Sequence, residues 1–229
     1  MIVSDVIHSG MEALSVVESL YRFYDLLLME FIVYHCEEKP HFAEAKLRNP
    51  KAKRSVAKAL QHTPDFQQPT IFVQRLKDFN IVRKRLAELR ELNPETLDIT
   101  SYLLDNEKLN QIRVHEAMKV VSRVRTKDGI YHIPLLDLDI PVDENGVESV
   151  QEVFIGLGIR SGAIINSGMS YHGWGLELLS EFEWRRFMAR ALLLDRIDRR
   201  WVGHRLLDDQ ANLRVSEKRG NVPKVVHVF

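Results

Sequence analysis

The spacing of apolar residues changes along the chain from a helical to an extended period. In the first part, apolar residues recur every three or four positions, as on one face of an α-helix. One such stripe comprises Leu14, Val17, Leu20, Tyr21, Tyr24, Leu27, Leu28 and Phe31, and another comprises Ile71, Leu76, Phe79, Val82, Leu86 and Leu89. We therefore predict a helical N-terminal region over residues 1–110, with a core helix in "LYRFYDLLLMEFIVYHCEE".

Residues 111–229 combine strand patterns with helix patterns. A buried strand is predicted in "GIYHIPLLDLDI", after the turn signal Lys127-Asp128-Gly129. Helices are predicted in "VESVQEVFIGLGI" and "LELLSEFEWRRFMARALLLDR". Shorter strands are predicted in "GAIINSG", "RWVGHRLL", "ANLRVS" and "PKVVHVF". The predicted fold class is α+β, with the helical region followed by a mixed α/β core.

Composition excludes several classes of protein. The 32 Lys and Arg balance 32 Asp and Glu, so contact with nucleic acid depends on local basic patches. Cys36 is the only cysteine, which excludes an internal disulfide and a cysteine-rich zinc site. Because the N-terminus carries no secretory signal, we expect a cytoplasmic protein. The most apolar window is interrupted by Arg22, Asp25 and Glu30, so we expect no membrane span.

Several common enzyme motifs are missing from the chain. The sequence contains no GxxxxGK[ST] phosphate loop, no HExxH and no GxSxG. The segment "GLGIRSG" has its third glycine one residue late for a dinucleotide fingerprint, and the preceding segment is predicted as helix rather than strand. These observations remove the commonest NTPase, zinc protease, hydrolase and dinucleotide-binding interpretations.

Two aspartates, Asp137 and Asp139, stand at the end of the predicted apolar strand "PLLDLD". Residues two apart on a strand point to the same face, so both carboxylates would project together. Paired hard oxygen ligands suit Mg²⁺ or Mn²⁺, which often bind substrate phosphates as well. The alternative is a strand that ends in a polar turn with no ligand.

A second unusual segment is "INSGMSYHGWG", where a Ser-Gly turn precedes His172. Taken with the aspartates and with "ID" at 197–198, its order along the chain resembles the archaeo-eukaryotic primase superfamily. The three superfamily motifs are a strand ending hhhDhD, a short sxH and an aspartate after an apolar residue. They correspond here to "PLLDLD", "SYH" and "ID", and the resemblance covers residues 130–229. It implies a primase-like (RRM-like) catalytic core over residues 111–229.

The resemblance also implies roles for individual residues. His172, assisted by Ser170 and Ser167, would hold the triphosphate of the incoming nucleotide, while Trp174 packs in the core. Arg214, and more weakly Arg205, would face the same phosphates. The alternatives are a turn histidine satisfied by its neighbours and arginines that are solvated or salt-bridged.

The third carboxylate of the resemblance has two candidates. We predict Asp198, at the start of the strand predicted in "RWVGHRLL", and keep Asp195 as the second choice. Asp195 would close the preceding helix, where a carboxylate is unfavourable against the helix dipole and is expected to pair with a cation such as Arg199.

The resemblance implies a template-dependent nucleotidyltransferase, a DNA primase or primer-extending polymerase. Its divalent ions, Mg²⁺ or Mn²⁺, would be held by Asp137, Asp139 and Asp198. The expected partners are an NTP or dNTP, a DNA template or primer-template, and a helicase or another protein. Two other classes stay open: a catalytically silent nucleotide or nucleic-acid-binding module, and a metal-dependent nuclease or phosphodiesterase.

The run "KLRNPKAKRSVAKAL" supplies a candidate nucleic-acid contact through Lys51, Lys53 and Arg54. A charge run of this kind is also typical of a solvated surface.

Overall fold

The structure, a computed structural model, describes residues 3–38, 68–92, 113–143, 145–218 and 220–229. Over these ranges the chain forms five α-helices, ten strands and two short 3₁₀ helices. The helices are α1 (Ala13–Phe23), α2 (Phe79–Leu92), α3 (Gly146–Gly156), α4 (Glu181–Ala191) and α5 (Arg199–Leu207). None of the helices described here has the length and apolar content needed to cross a membrane.

The strands form two antiparallel sheets. They are β1 (Leu28–Glu38), β2 (Thr70–Val73), β3 (Arg113–Thr126), β4 (Gly129–His132), β5 (Leu135–Pro141), β6 (Gly162–Asn166), β7 (Ser170–Gly175), β8 (Leu179–Ser180), β9 (Asn212–Arg214) and β10 (Lys224–Val228). The larger sheet has the order β2-β1-β3-β4-β8, with β9 also paired to β3. The smaller sheet has the order β10-β6-β7-β5. This mixture of helices and antiparallel sheets confirms the predicted α+β class.

The predicted helical N-terminal region contains strands as well as helices, and the core helix predicted in "LYRFYDLLLMEFIVYHCEE" is wrong beyond Phe23. Helix α1 stops at Phe23, the backbone turns through Asp25 at φ 48°, and the chain enters strand β1. Four residues of the predicted helical stripe, Tyr24, Leu27, Leu28 and Phe31, lie beyond the helix. The following segment is rich in β-branched and aromatic residues, which pack well on a pleated surface. It also pairs along its length with β3, so tertiary pairing outweighs the helical spacing.

The predicted regions 1–110 and 111–229 contribute to one sheet, because β1 pairs with β3. Helix α2 in the first region confirms the second predicted stripe over most of its length, whereas Ile71 lies in strand β2. The position of the boundary, between residues 110 and 111, lies outside the described residues. The RRM-like description of the core stays a prediction.

The segment "RWVGHRLL" is helix α5, not the predicted strand. Asp198 caps this helix by accepting a hydrogen bond from the Trp201 backbone N–H at 3.0 Å, and this supplies the helix start that periodicity alone did not reveal. Helix α4 begins at Glu181, later than predicted, because Ser180 and Glu183 form a capping box. As a result Leu176 lies before the helix, and Phe182 faces solvent with 68% of its surface exposed.

Several other elements of the second region match their predictions. Strands β3, β7 and β8 were not predicted, and the single strand predicted in "GIYHIPLLDLDI" is two strands, β4 and β5, of different sheets. The turn at Lys127 and Asp128 joins β3 to β4, the "VESVQEVFIG" segment forms α3, and β6, β9 and β10 occupy predicted strand segments. One cluster of buried apolar side chains joins both regions. Its largest fully buried members include Trp174, Trp184, Phe31, Phe79 and Phe154, which confirms that Trp174 packs in the core.

Candidate active site

Strand β5 brings the three predicted motifs together. On one side it pairs with β7, where Asp137 lies directly opposite His172. On the other side Leu138 forms an isolated bridge with Ile197. The Asp139 backbone N–H donates to the Arg196 carbonyl at 3.0 Å, and the Asp198 N–H donates to the Asp137 carbonyl at 3.4 Å. The backbone therefore sets Asp198 beside the aspartate strand, although the two segments are distant in sequence.

The two strand aspartates share the more exposed face of β5, as their spacing predicts. Leu136, Leu138 and Ile140 are buried at alternate positions, whereas Asp139 is exposed and the Asp137 side chain keeps 31% of its surface accessible. This alternation is that of a strand with one face in the core. The carboxylates thus lie outside the apolar core and on one side of the strand.

His172 is deeply buried, with only 6% of its surface exposed. Its Nε2 atom lies 3.9 Å from Asp137 Oδ1, which is beyond hydrogen-bond distance, and its Nδ1 atom has no hydrogen-bond partner in the described part of the chain. Burial, reinforced by the positive charge of Arg214, lowers the pKa of His172 to about 3. The imidazole is therefore neutral at physiological pH and presents hydrogen-bonding capacity rather than charge.

The residue after the histidine must be glycine for β7 to lie where it does. A Cβ atom on Gly173 would come within 2.1 Å of Cε2 of Phe154, a fully buried ring of α3. Because Phe154 lies in the core and cannot move freely, a side chain at this position would displace the strand that carries His172. The "HGWG" sequence thus lets the strand pack closely on α3.

The carboxyl group of Asp137 has a strongly shifted pKa. Burial, followed by repulsion from Asp198, raises the pKa of Asp137 from 3.8 to about 7, and Asp139 adds to this effect. The positive charges of Lys119 and Arg214 act in the opposite direction. A divalent cation bound beside Asp137 would relieve this repulsion and favour the ionised carboxylate.

The donor chemistry fits a hard cation, but the side chains do not form a closed coordination shell. Among the described residues, no group of three or more His, Cys, Asp or Glu side chains is arranged to hold a metal ion. One reason is that Asp198 directs a carboxylate oxygen to the N-terminus of α5. Carboxylate oxygens are nevertheless the ligands that Mg²⁺ and Mn²⁺ prefer.

The turn between β6 and β7 is held by its own polar groups. The Ser167 hydroxyl donates to the Ser170 carbonyl at 2.9 Å, and the Gly168 N–H donates to Asn166 Oδ1 at 2.8 Å. Gly168 has φ +112°, a conformation that L-residues rarely adopt, so the glycine is required. The Ser-Gly pair noted in the sequence therefore builds a tight turn next to the histidine strand.

Arg214 holds this turn from the side of β9. The residue is 9% exposed, and its guanidinium donates to the carbonyls of Ser167, of Ser216 at 2.5 Å and of Asn221 at 3.0 Å. The arginine thus ties the β6–β7 turn to the loop before β10. Its charge also acts on Asp137 and His172, so it contributes to the electrostatics of the site.

Two other charged residues of the sequence prediction have local partners. Arg205 lies in α5 at 6% exposure and pairs with Asp208 at 3.2 Å, an arrangement that supports the helix. Asp195 is exposed and pairs with Arg199 at 2.6 Å, the partner expected from the sequence. The predicted nucleic-acid contacts Lys51, Lys53 and Arg54 lie outside the described residues.

Sequence reasoning missed Lys119 in β3. Lys119 lies opposite Arg214 in the strand register, and its Nζ atom is 4.0 Å from the centroid of the Tyr34 ring. Its charge reaches Asp137. The sequence feature that could have pointed to Lys119 is its position as a single lysine within the otherwise apolar run "AMKVV".

Strand β5, which carries Asp137 and Asp139, sets Asp137 opposite His172 and has Asp198 alongside, the order of motifs that resembles a primase-like class of protein. Comparison with protein families agrees: the model of the archaeo-eukaryotic primase 1D-like family matches residues 96–227, more than half of the chain. The chain belongs to this family, which confirms the resemblance to the primase superfamily. Neither a curated protein nor a solved structure matched the chain.

Proposed function

We propose that this chain is a template-dependent nucleotidyltransferase that synthesises or extends a nucleic-acid primer. The observation that carries the proposal is the placement of Asp137 opposite His172, with Asp198 bonded to the same strand. Family membership supports it, because primase-type nucleotidyltransferases are the usual activity of this superfamily. The substrates are then an NTP or dNTP and a primed or unprimed DNA template.

The carboxylates of Asp137, Asp139 and Asp198 would hold Mg²⁺ or Mn²⁺. When bound, such ions align a 3′-hydroxyl with the α-phosphate and stabilise the charge that develops there. The contribution of the chain is to hold three carboxylates on a fixed backbone frame. Asp137 would bind such an ion as the ionised carboxylate, since a nearby cation would offset the repulsion that raises its pKa.

His172, Ser167, Ser170 and the arginines would orient the triphosphate. A neutral imidazole donates one hydrogen bond to a phosphate oxygen without adding charge. Arg214 supplies the positive potential from its buried position, and its bond to the Ser167 carbonyl fixes the turn beside β7. Fixing the nucleotide in this way lowers the entropic cost of alignment in the transferase reaction.

Labelled dNTPs or NTPs supplied with a primed and an unprimed template, in Mg²⁺ and in Mn²⁺, test the proposal. Extension of the primer or appearance of new oligonucleotides supports it. Loss of the product in Asp137→Ala ties the activity to this chain rather than to a contaminant. Shortening of the primer would instead assign a nuclease, and the transferase proposal would then be wrong.

A silent binding module is the second candidate. It is favoured by the side-chain arrangement, because no described group of carboxylates is set to hold a metal and the Arg214 donors are directed to backbone carbonyls. Such a module would bind nucleotide or nucleic acid without transfer. Binding of dATP or of primer-template without any product in either metal would select this candidate.

A further inference from the structure

Strand β3 carries one lysine within a fully buried apolar stretch. The neighbours Met118, Val120 and Val121 have 0% of their surface exposed, whereas Lys119 is half-buried. Burying part of an ammonium group costs free energy unless anionic or aromatic groups surround it. The position therefore calls for an explanation beyond packing.

The contacts of Lys119 fix its direction. Across the sheet it lies between Ile32 of β1 and Arg214 of β9. Its ammonium stands over the face of the Tyr34 ring, a cation–π contact that orients the stem. Residues paired across antiparallel strands point to the same face of the sheet, so Lys119 lies on the face from which Arg214 reaches the Ser167 carbonyl of the β6–β7 turn.

Lys119 and Arg214 have different roles. Arg214 directs its donors to three backbone carbonyls, including that of Ser167, and so fixes the β6–β7 turn. Lys119 is the strand neighbour of this arginine and is the more accessible of the two cations. An ammonium on a flexible stem is a compact point charge with three donors, well suited to binding phosphate.

We propose that Lys119 binds the triphosphate of the incoming nucleotide, from the side of the larger sheet opposite His172. This inference rests on the proposed function, because it assigns a further phosphate-binding residue to the same site. Tyr34 holds the lysine stem in place, and Arg214 holds the turn on the other side of the phosphates. The triphosphate is then bound by groups from both sheets.

Direct binding of dATP and dAMP to the full chain in Mg²⁺, measured by calorimetry without primer, tests this proposal. We expect Lys119→Ala to weaken dATP binding about tenfold and dAMP binding much less, because most of the lost contact is to the outer phosphates. Lys119→Arg should retain most of the affinity, since the positive charge is kept. Lys127→Ala, in the exposed β3–β4 turn, is the matched control and should bind dATP as the wild type does.

Urea midpoints and circular dichroism separate a binding defect from a folding defect. Equal dATP affinity in wild type and Lys119→Ala overturns the inference while leaving the transferase proposal intact. Weakened binding of primer-template with unchanged dATP binding also overturns it, because the lysine would then contact DNA phosphates.

The same experiment separates failure of the inference from failure of the proposed function. If Lys119→Ala weakens dATP binding but the wild type makes no product, Lys119 is a phosphate-binding residue of a silent module. If the wild type binds no nucleotide in Mg²⁺ or Mn²⁺, the inference is wrong, and primer extension alone then decides the function.

Discussion

Asp137 and His172 face each other across β5 and β7, with Oδ1 and Nε2 3.9 Å apart. Burial shifts the pKa of the carboxyl to about 7 and that of the imidazole to about 3, so both groups favour their neutral forms. Ionisable groups whose pKa values are shifted toward the neutral form at the edge of an apolar core are typical of sites that bind a charged ligand. Each prediction below changes one member of this site or of its surroundings.

Asp137→Ala and Asp139→Ala are expected to abolish nucleotide transfer without unfolding the chain. Each variant removes one ligand of a divalent cation, and both side chains lie on the more exposed face of β5, so no core cavity is opened. Primer extension and circular dichroism measure the two effects. Extension at the wild-type rate by either variant would show that the metal-site assignment is wrong.

Asp198→Asn should also abolish extension, because the amide keeps the shape of the side chain but removes the negative charge. Asn is a good N-cap residue, so the start of α5 should survive and stability should change by less than about 0.5 kcal/mol. Asp195→Asn is the matched control, since it alters only an exposed pair with Arg199 and should leave extension intact. The reverse pattern would assign the third carboxylate to Asp195.

His172→Ala should chiefly raise the apparent KM for nucleotide, since the imidazole is proposed to bind the triphosphate before and during transfer. A drop in kcat would show additional work in the transition state. Affinity for DNA should barely change. Because His172 is buried, the urea midpoint must be measured as well, and His172→Gln provides a variant that leaves a smaller cavity. Normal KM and kcat in a folded variant would leave the histidine with a packing role only.

Asp137→Asn should be more stable than the wild type at pH 8 but not at pH 4. The folded-state pKa of Asp137, about 7, exceeds its ordinary value of 3.8, so the wild type loses stability as the pH rises between these values. We expect a difference of about 1–2 kcal/mol at pH 8, less than the full shift implies because the carboxyl is partly exposed. Urea unfolding of both proteins at several pH values measures it.

The buried histidines act in the opposite direction and cancel in this comparison. The pKa of His172, about 3, and that of His132, about 4, are below the ordinary 6.5, so both destabilise the fold as the pH falls through that window. A pH-independent difference between wild type and Asp137→Asn would mean that Asp137 is not perturbed. Added Mg²⁺ should raise the melting temperature of the wild type but not of the variant.

Reversal of Lys51, Lys53 and Arg54 to glutamate should weaken template binding and flatten its dependence on salt. Each lost phosphate contact removes about one unit from the slope of log affinity against log salt concentration. Nucleotide binding should survive, since the change leaves the aspartates and His172 intact. An unchanged slope would make the run an ordinary solvated surface.

The sequence predicted α2 and part of α1 in the first region and α3, β6, β9 and β10 in the second, but not β1, β2, β3, β7 or helix α5. The alternation in "PLLDLD" and the turn at Lys127 and Asp128 reflect local preferences, which a sequence carries directly. The segment Leu28–Glu38 obeys a non-local constraint, because its partner β3 is more than seventy residues away in sequence. Its apolar residues fit both the helical and the extended spacing, so the sequence pattern alone does not choose between helix and strand. The pairing with β3 makes the segment a strand.

Prediction of the site has the same limit, because contacts between segments distant in sequence were not predicted. The motif order in the sequence predicted the aspartate pair, the histidine and Asp198 rather than Asp195, and the roles of these residues stay predictions. It assigned Asp198 to a strand start, whereas the residue caps a helix and is set in place by the bridge between Leu138 and Ile197. Lys119 belongs to no motif, and its closeness to Asp137 depends on β3 and β9 being neighbours.

The bonds from Arg214 to the carbonyls of Ser167, Ser216 and Asn221 have a consequence for binding kinetics. A turn held by a buried guanidinium and closed on itself by the Ser167 hydroxyl is already ordered before any ligand arrives. A phosphate that binds there restricts few additional backbone torsions, so little conformational entropy is lost on association. If phosphate binds at this turn as proposed, its association would be limited by diffusion and charge rather than by a slow closing motion of the loop.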